Sequence, residues 1–103
     1  MKATEDREHP LAELTAFALS GEGIAIDVVS TGCTTRESIE ARVERVDERT
    51  VALTLLRVVP DGCRRMPMNK RLEFSRAALG IGEEDGIVLR NPLGRLPGRG
   101  RGR

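Results

Sequence analysis

The chain contains no tryptophan and no tyrosine, only two phenylalanines, Phe17 and Phe74, two cysteines and one histidine. Without large rings, aliphatic side chains must build the core. A single histidine, His9, excludes sites made of two or three imidazoles. It is also distant in sequence from Cys33 and Cys63, so a thiol nucleophile activated by a neighbouring base has no support. No apolar run approaches a membrane span or the hydrophobic segment of a secretory signal. The expectation is a cytoplasmic protein with no membrane partner, in which both cysteines stay reduced unless they carry metal or redox chemistry.

What is present is a chain of 103 residues, 39% apolar and 32% charged, which suits one small domain. That size favours a binding module over an enzyme, and no cofactor is expected. The formal net charge of +1 conceals a polarity. Residues 1–63 carry 7 Lys/Arg against 12 Asp/Glu, whereas residues 64–103 carry 10 against 4. Such halves attract one another within a molecule or between molecules.

After a polar leader, residues 1–9, the segment HPLAELTAFALS places Pro10 in a first helical turn, with Leu11, Leu14, Phe17 and Ala18 at helical spacing. This predicts a short amphipathic helix closed by Gly21 and Gly23. From Gly23 the period falls to two: GIAIDVVS puts Ile24, Ile26 and Val28 on one face. SIEARVERVDE sets Ile39, Ala41 and Val43 against Glu40, Arg42 and Glu44, and its alternation slips near Val46, as at a bulge. VALTLLRVV is apolar on both faces and should be central, covered on both sides. RLEFS is a shorter strand, Ser75 caps one helical turn, RAAL, which Gly80 stops, and IVLRN is a last strand ended by Pro92. The predicted fold is mainly β: five short antiparallel strands in a small barrel or sandwich, the first three as a meander, preceded by one short N-terminal helix. The domain spans residues 10–93. This element order resembles that of Sm-like and SH3-like small barrels; the glycine and Asp/Asn signature of Sm-type uridine binding is absent, so the resemblance implies architecture and no activity.

Cys33, in STGCTTRES, and Cys63, in PDGCRRMPM, follow the first and third predicted strands and so share one rim of the sheet. In a meander those strands are ~10 Å apart, beyond the ~7 Å Cα limit of a disulfide, unless curvature or a loop folding over the rim closes the gap. Cys63, Met66 and Met68 offer soft donors suited to Cu(I), with Cys33 as a further thiol. Against a metal site, Arg64 and Arg65 add positive charge, methionine commonly fills cores, and zinc wants four ligands. The consecutive acids Glu83, Glu84 and Asp85 read as a wet turn; GEGIAI lacks the G-x-G-x-x-G spacing and following helix of a phosphate loop, and the carboxylates of LGIGEEDG would repel phosphate. Taken together, TGCTTRES, RVVPDGC and LEFSRAALGI are similar to a group of short uncharacterised bacterial proteins with a G-C-T-T segment and a later D-x-C; no activity follows from that resemblance.

The tail, residues 94–103, alternates Arg95, Arg99, Arg101 and Arg103 with glycine and proline and is expected to be disordered. Mobile guanidinium groups pair with phosphates, so this tail, with Arg64, Arg65, Lys70 and Arg71, is the candidate nucleic-acid-binding set. Three readings result. The first is a non-enzymatic module that associates with itself or with a protein partner through strand edges and complementary charge. The second is an RNA- or DNA-associated module using the basic C-terminal part. The third is a thiol or metal site at Cys33, Cys63, Met66 and Met68.

Overall fold

Leu14–Leu19 form a strand, β1, where the sequence predicts helix. A helix this short is marginal on local propensity alone. Instead, Ser20 N donates to Gly23 O at 2.9 Å, and the chain turns back at once into β2, Gly23–Ser30. A bulge between Leu14 and Ala16 shifts the β1–β2 register, and this broken alternation is what resembles helical spacing.

The computed structural model describes residues 9–94. After β2 come a 3-10 turn at Arg36–Ser38, then β3, Ile39–Asp47, and β4, Thr50–Arg57. β5 is Met68–Ser75, α1 is Arg76–Leu79 and β6 is Gly86–Leu89. The strands form two three-stranded sheets, ordered β1-β2-β5 and β3-β4-β6. The predicted meander is therefore wrong, because β2 pairs with β1 and β5 while β3 pairs with β4. Among the described residues the strands are six instead of five, and they are not all antiparallel: β4 and β6 run parallel. No ladder joins β3 to β5 among the described residues, so the wall does not close into a barrel.

One core lies between the sheets. Leu14, Ile24, Ile26 and Val28 come from one, Ile39, Val51, Leu53 and Leu55 from the other, and Ile81 joins them from the loop after α1. Burial of each such side chain contributes ~1.5–3 kcal/mol. β4 is covered on both faces, as its composition predicts, with Ala52 and Leu56 buried opposite Leu53 and Leu55. Its outer neighbour changes along its length. Thr50–Leu53 pair with β6, whereas Leu55 and Arg57 meet residues 10–12 through Ala12 N to Leu55 O and Arg57 N to Pro10 O, both 2.9 Å. Asn91 fills the junction: its Oδ1 accepts from Leu55 N at 2.8 Å, and its Nδ2 donates to Leu55 O at 2.8 Å and Ala12 O at 3.0 Å. The side-chain amide stands in for a missing peptide unit.

α1 is the single turn that the sequence predicts. Ser75 Oγ accepts from Ala78 N at 3.2 Å, and Gly80, at φ 75°, takes the left-handed conformation that ends it. Arg76 is buried and ties three segments together, donating to Ser20 O at 3.0 Å, Gly82 O at 2.8 Å and Asp85 O at 3.3 Å. No helix among the described residues is long and apolar enough to cross a membrane.

Candidate functional site

The loops that leave β2 and β4 meet at one corner of the molecule, and Asp61 holds them there. Its Oδ1 accepts from the amides of Cys33 and Cys63, each at 3.1 Å. Its Oδ2 accepts from Thr31 N at 2.9 Å, Ser30 Oγ at 3.1 Å and Thr34 Oγ1 at 2.7 Å. One carboxylate thus satisfies five donor groups that a strand-to-strand connection would otherwise leave loose. Burial pushes the Asp61 carboxyl up, but bonds from Thr34, Thr31 and Cys63 outweigh it and hold the group far below the usual carboxylate range.

The surroundings brace this arrangement. Thr34 is buried, and its hydroxyl oxygen also accepts from Arg57 Nη1 at 3.1 Å, while Arg57 Nη2 donates to Val29 O at 3.1 Å. Arg65 N donates to Thr31 O at 2.9 Å, a second tie between the loops. Gly32 sits at φ +122°, and a Cβ there would lie 3.2 Å from Cys63 Cβ and 3.1 Å from Arg65 Cδ. Only glycine accepts both the backbone conformation and the close approach.

Cys33 and Cys63 form a disulfide with their Cα atoms 5.6 Å apart. The ~10 Å separation expected of a meander fails because the strands that precede the cysteines lie in different sheets, and their loops are tied together by Asp61 and by the Arg65–Thr31 bond. The expectation of two reduced thiols is corrected with it. Cys33 is exposed and Cys63 half-buried, and one ligand atom from each of Cys33, Asp61 and Cys63 lies within 4.8 Å of the others.

The remaining candidate residues are dispersed. Arg64, Arg65 and Met66 are exposed in the loop after Cys63, and Met68 is the exposed first residue of β5. Lys70 and Arg71 are exposed on β5, where successive side chains point to opposite faces. Arg71 pairs with Asp27 at 3.1 Å. Arg95, Arg99, Arg101 and Arg103 lie outside the described residues, as does nearly all of the leader. Sequence reasoning missed Asp61, Thr34 and Arg57. The signal for Asp61 was its position two residues before Cys63, where an aspartate accepts backbone amides of its own turn.

The fold and the corner together define a small two-sheet β domain closed by a disulfide and a carboxylate hub. No protein-family model matches the chain, and neither does a curated protein or a solved structure.

Proposed function

We propose that the chain is a non-enzymatic association module that pairs with a second copy along the outer edge of β3. The observation that carries this is the outer side of β3, with which no other strand among the described residues pairs; β3 has nine residues, and its inward side chains Ala41 and Val43 are only half-covered. Val58 N donates to Ser38 O at 2.9 Å, which sets the phase of the ladder: Glu40, Arg42 and Glu44 bond to β4, and Ala41 and Val43 turn their N–H and C=O outward. The outer edge of β5 is guarded by contrast. Arg36 lies over the Phe74 ring at 5.8 Å and donates to Glu73 O at 3.3 Å, and Lys70 and Arg71 place charge beside it.

The charge pattern of β3 suits a two-fold partner. In an antiparallel pair centred on Ala41 or Val43, Arg42, which bonds Glu40 of its own strand at 3.1 Å, comes opposite a glutamate of the second copy, a favourable cross-strand arrangement. The test is the concentration-dependent mass of the full chain beside that of Val43→Pro. Proline removes an N–H that the β3–β4 ladder does not use, so the fold is retained while an added strand is blocked. A dimer in the wild type and a monomer in the variant are expected. A wild type that is monomeric at high concentration, or equal association of both chains, overturns the reading.

A further inference from the structure

We propose that Cys33, Cys63 and Asp61 form, once the disulfide is reduced, a binding site for a thiophilic divalent cation of the Zn²⁺ class, so that the corner holds either a bridge or a metal. The three donors come from two loops that are already fixed, and they lie within 4.8 Å of one another. In the bridge the two sulfurs are bonded to each other, whereas tetrahedral zinc with sulfur at ~2.3 Å holds two sulfurs ~3.8 Å apart, so the reduced thiolates separate within the corner to admit the cation. Two thiolates and a carboxylate concentrate three negative charges, and a divalent cation that accepts sulfur is the species that relieves this. Three protein ligands leave the fourth position to water.

Asp61 keeps the site assembled in both states. Its bonds to the amides of Cys33 and Cys63 do not depend on the bridge, so both sulfurs remain at the corner after it opens. Ser30, Thr31 and Thr34 grip Oδ2 and fix the carboxylate beside the two cysteines, the service that outer groups give to metal-bound carboxylates. Reduction has an entry point because Cys33 is exposed. A thiolate of the glutathione class attacks Cys33 Sγ, forming a mixed disulfide and releasing Cys63 as a thiolate that takes up a proton. A second such thiol attacks the mixed disulfide and frees Cys33. Two electrons and two protons have then passed to the protein, and the two small thiols leave joined as their own disulfide. Binding the cation displaces the two thiol protons.

The absence of tryptophan and tyrosine makes the experiment direct, because the chain is nearly transparent where thiolate-to-cobalt charge transfer absorbs. The full chain is titrated with Co²⁺ oxidised and after reduction with a phosphine, with circular dichroism reporting the fold. The reduced chain is expected to show one saturable equivalent that Zn²⁺ displaces, and the oxidised chain none. Cys33→Ser and Cys63→Ser should lose the band; Asp61→Asn should keep it but bind at least ~10-fold more weakly. No band from the reduced wild type, folded or unfolded, overturns the proposal. So does equal uptake by the oxidised chain, or undiminished affinity in Asp61→Asn.

Discussion

Asn91 and Leu55 exchange two hydrogen bonds of 2.8 Å, one in each direction, as paired strand residues do, although one partner contributes a side chain. Removing that side chain leaves the buried Leu55 amide without an acceptor. Asn91→Ala should therefore cost ~1–3 kcal/mol, seen as a lower denaturant midpoint by circular dichroism. Asn91→Asp should be worse, since a carboxylate can accept from Leu55 N but repels the carbonyls of Leu55 and Ala12.

Acidification should weaken the domain through Asp61. Its folded pKa is depressed, so its stabilising contribution is fully present above the unfolded carboxylate value of ~3.9 and is lost as pH falls from there toward the lower folded value. Denaturant midpoints measured across that range should fall for the wild type. In Asp61→Asn the midpoint should be lower at neutral pH and the acid slope flatter.

Reducing the disulfide should lower stability by ~3–4 kcal/mol, because the bridge closes a loop across a sequence separation of 30. The β signal should persist at neutral pH, since the bonds to Asp61 remain. Urea melts of oxidised and reduced chain at one pH measure this difference.

Gly32→Ala should destabilise by ~1–3 kcal/mol, combining a disfavoured φ of +122° with a new Cβ 3.2 Å from Cys63 Cβ. Gly62→Ala, where a Cβ would meet nothing within 4 Å, is the matched control and should be nearly neutral in the same melt.

Much of this fold is legible residue by residue. The alternation of Ile24, Ile26 and Val28 marks β2, the two apolar faces of β4 mark a central strand, and Ser75 with Gly80 brackets α1. Period and capping are local properties, and the chain carries them in plain form. Partner choice is not local. Nothing within β2 or β3 says that they belong to different sheets, and that single misplacement is what set the cysteines too far apart. The segment around Leu14 fails for a related reason: its bulge hides the period of two, and pairing with β2 outweighs the good helical propensity of Leu, Ala and Glu, which in so short a segment cannot sustain a helix. At the corner the cysteines are visible as residues, whereas the hub is not, because an aspartate in a Pro-Asp-Gly turn usually serves only its own turn. Asp61 also serves Thr31, Cys33 and Thr34 across a gap of some thirty residues.

The divided flank of β4 has a consequence for biosynthesis. Its neighbours on that side are residues 10–12, among the earliest of the domain to be made, and Gly86 to Asn91, among the last. Until Asn91 has left the ribosome, the Leu55 amide has no acceptor and one side of the central strand stays open to other chains. The sheet that carries β4 is therefore completed late, after translation has passed Asn91, and until then that open flank is where the nascent chain is most exposed to pairing with its own kind.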